Sequence, residues 1–205
     1  MDRKALYNLE YGVFLVSSRA GDAINACITN TCIQAAASPV RLAISCISGN
    51  YTPELIRESG LFTVSVLDTT ADFELIRRFG MQSGRTVDKF AGFDYALDAN
   101  GLPYLKDKAN AVFSCKVTSA MELGSHTLFV GEVLDAAVLG SAPSLTYAKY
   151  QSDVKPRPRP KAEERPIIGW KCKICGYVYE GAVLPADFLC PLCAHPAEDF
   201  EPIYG

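Results

Sequence analysis

Four cysteines near the C-terminus stand as two Cys-x-x-Cys pairs, Cys172 with Cys175 and Cys190 with Cys193, and they limit what that end of the chain can become. Two intervening residues let both thiolates of a pair point at one tetrahedral site, with backbone N–H groups free to turn toward the sulfurs. A segment of about forty residues buries too little apolar surface to fold unaided, so a bound metal is expected to supply much of its folding free energy. Zinc and iron both accept four thiolates, and the ligand set does not choose between them. The other four cysteines, Cys27, Cys32, Cys46 and Cys115, lie in apolar stretches where thiols behave as small hydrophobes, so no redox role is read from them.

Upstream, Lys155-Pro156-Arg157-Pro158-Arg159-Pro160-Lys161 alternates proline with cations, which forbids helix and favours an extended polyproline II track. This predicts a domain at 1–153, a linker at 154–166 that reaches on the order of 35 Å, and a small metal domain at 167–205. The first 153 residues suffice for a sizeable core, since nearly half of the chain is apolar. A net charge of −3 spread over both signs argues against a nucleic-acid surface, and no apolar run approaches the ~20 residues that cross a bilayer. The opening Met1-Asp2-Arg3-Lys4-Ala5-Leu6-Tyr7 has no export-signal character, and metal-type cysteine spacing suits a reducing compartment, so a cytoplasmic location is expected.

In the long domain, runs rich in β-branched and apolar residues recur at Gly12 to Ser18, Ala23 to Thr29, Arg41 to Ile47, Leu61 to Leu67, Ala111 to Thr118 and Leu128 to Val138. Such spacing predicts a mainly β domain with a few helices, folded as an antiparallel barrel or sandwich. Helices are expected at Pro53 to Ser59, with Thr52 as cap, at Asp72 to Phe79, and near Leu145 to Gln151.

The tail continues its first cysteine pair with Gly176-Tyr177-Val178-Tyr179 and its second with a Cys-Pro-x-Cys turn, among Trp170, Phe188 and Phe200. In this it resembles rubredoxin from Trp170 to about Ile203, and the resemblance implies a single iron cycling between ferrous and ferric states. It departs from free-standing rubredoxins in the short interval between the pairs and in Ala194, where the second turn ordinarily has glycine. A zinc ribbon that only folds the tail is the alternative. His195 is expected at the surface.

The long domain carries Ile24-Asn25-Ala26-Cys27-Ile28-Thr29-Asn30-Thr31, Asn50-Tyr51-Thr52, Phe79-Gly80-Met81-Gln82-Ser83-Gly84-Arg85 through Phe90, and Gly124-Ser125-His126-Thr127. These segments resemble the flavin reductase family with its FMN-binding split barrel. The resemblance implies that Thr52, at a helix start whose first N–H groups lack internal partners, seats the flavin phosphate with Asn50. It implies that Ser83, Arg85 and Lys89 fold over the cofactor, with Lys89 the stronger candidate, and that Asn25, Thr29, Asn30 and Thr31 meet the ring carbonyls and ribityl hydroxyls. His126 becomes a candidate for positioning flavin or nicotinamide; no catalytic residue beyond that is assigned.

A split-barrel flavin domain joined to a rubredoxin knuckle resembles the high-molecular-weight rubredoxins of anaerobes. That implies electrons passing from NADH or NADPH through FMN to the iron and on to a redox partner, a flavodiiron protein that reduces nitric oxide or oxygen, with the chain a homodimer. A nicotinamide delivers hydride whereas an iron–thiolate centre takes single electrons, and a flavin converts between them. Two other readings are a flavin or ferric reductase that releases its reduced product and carries a structural zinc tail, and a docking or sensing module in which FMN is structural.

Overall fold

The computed structural model describes residues 1–156 and 165–205. The polyproline II track expected between Val154 and Pro166 lies for the most part outside them. Two compact units are present, Met1–Pro156 and Arg157–Gly205. Among the described residues no helix is long and apolar enough to cross a membrane.

The first unit is built on seven antiparallel strands: β1 (Phe14–Ala20), β2 (Ala23–Thr29), β3 (Cys32–Ala37), β4 (Val40–Ile47), β5 (Leu61–Leu67), β8 (Ala109–Glu122) and β9 (His126–Val138), in the order β2-β1-β5-β8-β9-β4-β3. Between β5 and β8 a small separate hairpin pairs β6 (Tyr95–Leu97) with β7 (Pro103–Leu105). The sheet curls into a split barrel. Its end strand β2 meets β4 without a ladder, through Thr29 Oγ1, which donates to the Ser45 carbonyl at 2.7 Å, and the Ser45 N–H, which donates to the Thr31 carbonyl at 3.2 Å.

Both faces of the central strands are buried, which is why they read as continuous apolar runs rather than alternating ones. Leu15 and Val16 are neighbours in β1 and so point to opposite faces. Val16 joins Cys27, Ile44, Cys46, Phe62, Val64 and Phe129 inside the barrel, while Leu15 joins Leu67, Leu75, Phe79 and Phe90 in an outer core. Helix α2 (Phe73–Gly80) covers that outer face with Leu75, Ile76 and Phe79, each worth roughly 1.5–3 kcal/mol of burial. Asp72 caps α2 by accepting from the Leu75 N–H at 3.0 Å.

Helix α1 runs Tyr51–Ser59, starting two residues before the expected Pro53. Asn50 is the capping residue and makes no side-chain cap bond. Thr52 lies inside the first turn, because its hydroxyl is buried against Asn25 and cannot fold back on the helix. The helix expected near Leu145 to Gln151 is present from Tyr147, one α-helical turn, Tyr147–Lys149, capped by Thr146 and continuing as a wider π-helical turn, Tyr150–Val154. Strand β3 was not expected from the sequence: Ile33, Gln34 and Ala35 are exposed on an edge and lack the pattern of a half-buried strand.

The second unit is a three-stranded antiparallel sheet ordered β11-β10-β12, with β10 at Ile167–Cys172, β11 at Val178–Glu180 and β12 at Phe200–Tyr204. Its core is Cys172, Cys190 and Phe200 with Trp170, Tyr177, Tyr179 and Phe188 against them. The Phe188 ring stands edge-on to Tyr179 at 4.9 Å and to Phe200 at 5.6 Å.

Candidate functional site

In the second unit the chain makes the same turn twice. The Gly176 N–H donates to the Cys172 carbonyl at 2.9 Å and the Cys172 N–H to Tyr177 at 2.8 Å; the Ala194 N–H donates to the Cys190 carbonyl at 2.8 Å and the Cys190 N–H to His195 at 2.8 Å. Each turn needs a left-handed residue: Gly176 has φ 78° and Ala194 has φ 58°. Ala194 adopts the glycine conformation at a cost of about 1–2 kcal/mol, which explains how the departure from glycine is tolerated. His195 is half-buried rather than at the surface, since its carbonyl closes the second turn and its Nδ1 lies 3.1 Å from the Cys193 carbonyl.

The turns bring four Sγ atoms within 4.8 Å of one another. Cys172 to Cys193 spans 3.6 Å and Cys175 to Cys190 spans 3.4 Å, close to the edge of about 3.8 Å of a tetrahedron with metal–sulfur bonds near 2.3 Å. Burial opposes ionisation of Cys172, but the backbone N–H groups of Cys175 and Ile174 and the neighbouring thiols outweigh it and hold the group below the ordinary thiol range. At Cys190 the same opposition is overcome by the N–H groups of Leu192 and Cys193, bringing the thiol to about 7. The N–H groups of Tyr177 and His195 act the same way on Cys175 and Cys193, but burial and the neighbouring thiols outweigh them and raise both, Cys193 to about 12. Backbone donors thus face all four sulfurs, and the four residues fit a tetrahedral metal.

In the first unit, two adjoining hollows share Gly80 and Met81. The first, about 270 Å³, is lined by Thr29, Asn30, Ser45, Cys46, His126 and Tyr147 among others. The second, about 250 Å³, lies at the start of α1 and is lined by Gly49, Asn50, Tyr51, Ser83, Gly84 and Lys89 with its neighbours. Six of the ten expected flavin residues thus line one hollow or the other: Thr29, Asn30 and His126 the first, Asn50, Ser83 and Lys89 the second.

The remaining four stand elsewhere. Asn25 and Thr52 are almost fully buried, and Asn25 Nδ2 donates to Thr52 Oγ1 at 3.0 Å. Gly84 presses on this pair so closely that a Cβ there would lie 2.0 Å from Asn25 Oδ1. Asn25 and Thr52 therefore support the second hollow from beneath. Thr31 donates to Asn30 Oδ1 at 3.1 Å, next to the seam between β2 and β4. Arg85 is paired with Glu54 of α1 and its guanidinium lies 4.9 Å over the Tyr51 ring, so its charge is already matched.

Lys89 is different. Its ammonium is buried and donates to the carbonyls of Ala26 and Phe79, each at 2.9 Å. Among the described residues it forms no ion pair, and burial lowers its pKa below the lysine norm, opposed by the charge of the Cys27 thiol. A buried cation without a carboxylate, beside a helix start with free N–H groups, makes an anion-seeking wall. His126 is half-buried with Nδ1 2.8 Å from Ser125 Oγ, which leaves Nε2 for a ligand in the first hollow.

Residues 6–154 match the flavin reductase like domain, and residues 170–201 match the rubrerythrin, rubredoxin-like domain. A high molecular weight rubredoxin of Moorella thermoacetica is 35% identical over 99% of this chain and 100% of its own length. This chain belongs to the high-molecular-weight rubredoxins. Another relative of this high-molecular-weight rubredoxin, the ferric-chelate reductase (NAD(P)H) of Archaeoglobus fulgidus, is 39% identical over 73% of the chain and 89% of its own length. Among solved structures, the NADH:FAD oxidoreductase of Streptomyces globisporus in complex with NAD and FAD fragments superposes with a TM-score of 0.64 at 25% identity, covering 78% of this chain and 92% of that one.

As a high-molecular-weight rubredoxin the chain is an electron-transferring oxidoreductase, with a flavin-reductase-like unit and a four-cysteine metal unit. Flavin and iron are the cofactors its two domains support. Several residues that line the hollows were not singled out from sequence: Ser45, Cys46 and Ile47 at the end of β4, and Tyr147 and Tyr150 in the C-terminal turns. The β4 residues share a strand whose alternate side chains fill the barrel, and nothing local separates those that reach the hollow. The tyrosines come to it through long-range backbone bonds, the Leu145 N–H donating to the Leu67 carbonyl at 2.7 Å and the Tyr147 N–H to the Tyr11 carbonyl at 2.8 Å, which no local pattern announces.

Proposed function

We propose that this protein takes electrons from NADH or NADPH into FMN, passes them singly to an iron held by Cys172, Cys175, Cys190 and Cys193, and delivers them to an acceptor protein, a flavodiiron reductase of nitric oxide or oxygen. The observation that carries the flavin part is the buried, carboxylate-free ammonium of Lys89 at the wall of a hollow that opens on the start of α1. A phosphomonoester answers both the charge and the unpaired N–H groups.

In this reading Lys89, Ser83, Asn50 and the first N–H groups of α1 hold the phosphate, while Asn25 and Thr52 fix the floor on which the Ser83-Gly84 turn rests. Thr29 and Asn30 present polar groups to the ring and ribityl chain in the first hollow. His126, steadied at Nδ1 by Ser125, orients the ring or the nicotinamide through Nε2. Bound here, a flavin supplies the conversion between hydride transfer and one-electron transfer. The proline-rich segment keeps the metal unit at a raised local concentration around the flavin unit.

The apolar hollow of about 240 Å³ lined by Phe14, Ile33, Val40, Leu42, Val66 and Phe113, with Ile33 and Val40 exposed, is a surface that a second copy of the chain would cover in a homodimer. A cytoplasmic location accords with thiolates kept reduced for metal binding. The test is stopped-flow absorbance on the holo-protein with elemental analysis of the same sample. NADH or NADPH is expected to bleach the flavin bands first and the ferric bands afterwards; colourless protein containing only zinc overturns the relay. A second reading, a ferric reductase with a structural zinc tail, draws on the ferric-chelate reductase of Archaeoglobus fulgidus. Zinc in the tail with rapid reduction of added ferric chelate would establish it.

A further inference from the structure

The seam where β2 meets β4 holds a pair of thiols that the relay does not use. Cys27 of β2 and Cys46 of β4 face each other there with Sγ atoms 4.0 Å apart, both almost fully buried. Beside them, among the described residues, the seam is joined by the Thr29 to Ser45 and Ser45 to Thr31 bonds in place of a ladder. Cys46 also lines the first hollow. Cys27 follows Ala26, whose carbonyl accepts from the Lys89 ammonium.

The surroundings of this pair are unlike those of the other two thiols in the domain. Cys115 is buried in the same barrel core without a sulfur partner, and burial pushes it up to about 12; burial does the same to Cys32. Cys27 is lowered instead: its hydrogen bond with Cys46 outweighs burial, and the Thr52 hydroxyl and the Lys89 charge add to it. The shared hydrogen bond lowers Cys27 and, with burial, raises Cys46, so the two facing thiols are chemically inequivalent, which suits thiol–disulfide chemistry.

We propose that Cys27 and Cys46 are a redox-active dithiol that closes to a disulfide across the barrel seam and reopens on reduction. Closure brings the sulfurs together by roughly 2 Å, to a bond of about 2.05 Å. β2 and β4 share no ladder, so side-chain rotation and a small relative shift close this gap without breaking ladder bonds between them. The step breaks two S–H bonds, forms one S–S bond and releases two protons and two electrons. These go to the oxidised flavin seated in the hollow that Cys46 lines, so the inference rests on the proposed function for its electron acceptor. The closed form stitches the seam beside that hollow and makes the pair a store of two electrons next to the flavin.

The test begins with the full-length holo-protein, oxidised with ferricyanide, then unfolded and alkylated before and after reduction. Peptide masses are expected to show Cys27 and Cys46 protected in the oxidised protein and joined to each other, with both alkylated in protein reduced before unfolding. Anaerobic dithionite titration of the oxidised protein is expected to consume two more electrons per chain than the Cys27→Ser or Cys46→Ser variant. Alkylation of both cysteines in oxidised protein that carries a full complement of flavin overturns the proposal and leaves the flavin reading intact. Should the protein hold no flavin, treatment with the azo oxidant diamide separates the two ideas: a Cys27 to Cys46 bridge supports the dithiol while the flavin reading fails, and free thiols overturn both.

Discussion

The Nζ of Lys89 lies 2.9 Å from the carbonyl oxygen of Phe79, the penultimate residue of α2, so a buried cation ties the end of that helix to the barrel. A second bond of the same length, to Ala26 on β2, completes the tie. The ammonium is therefore both a structural clasp and the free positive charge of the second hollow.

Replacing it separates those roles. Lys89→Met leaves two carbonyls without this donor, at a cost of about 1–3 kcal/mol for each that water cannot reach. Urea unfolding of the variant is expected to show that loss, and fluorescence titration with FMN a dissociation constant raised at least tenfold. Lys89→Arg, which keeps the charge, is expected to recover part of the affinity; affinity equal to wild type in Lys89→Met would rule out a phosphate at this wall.

Gly84 is held against the Asn25 side chain, and Gly84→Ala would place a methyl 2.0 Å from Asn25 Oδ1. The turn carrying Ser83 must then lift away from the floor. Weaker FMN binding is expected with little change in global stability, because the barrel core is untouched. Isothermal titration and a thermal melt of the flavin-free protein together distinguish this from general unfolding.

The second metal turn contains a stored penalty. Ala194→Gly removes the left-handed alanine at φ 58° and is expected to stabilise the metal unit by roughly 1 kcal/mol, part of the gain being offset by the greater freedom of glycine in the unfolded chain. The converse change in the first turn, Gly176→Ala, is expected to weaken it by a similar amount. Rates of metal loss to a chelator, followed by absorbance, should fall for Ala194→Gly and rise for Gly176→Ala.

Asp72 links acid stability to α2. Its carboxylate accepts from Lys108 Nζ at 2.6 Å and from the Leu75 N–H, and these bonds, Lys108 first, hold it below the ordinary carboxylate range. A depressed folded pKa means that the unfolded chain binds the proton more tightly. The contribution is then complete above the unfolded value, near 3.8, and is lost as pH falls through the lower folded value. Asp72→Ala is expected to cost about 1 kcal/mol at pH 7 and to lose that deficit against wild type in strong acid, whereas Asp72→Asn retains the cap and most of the stability. Chemical unfolding at pH 7 and pH 2.5 checks both.

Much of the barrel is readable locally. Ala23 to Thr29 and Leu61 to Leu67 are strands over the residues expected, because short apolar runs rich in β-branched residues and bounded by turn residues suit a sheet covered on both faces. Strand β8 begins at Ala109 and extends to Glu122, beyond the expected Thr118, since its exposed end is held by pairing with β9 rather than by burial and so carries no alternating apolar signal. Strand β3 is not legible locally for the same reason: an exposed edge is held by the hydrogen bonds of β4 rather than by its own burial.

The sequence by itself determined the metal unit, for two residues between paired cysteines dictate the turn, and the turn aims the sulfurs. The family resemblance named Asn50, Ser83 and Lys89 as candidates, and the fold brings all three to one hollow. Only the tertiary structure decided that Asn25 and Thr52 bond each other below the floor, that Arg85 is claimed by Glu54, and that Cys27 meets Cys46. Those partners come from segments far apart in the chain, and no local pattern encodes which of several polar or sulfur-bearing side chains will meet when a barrel closes on itself.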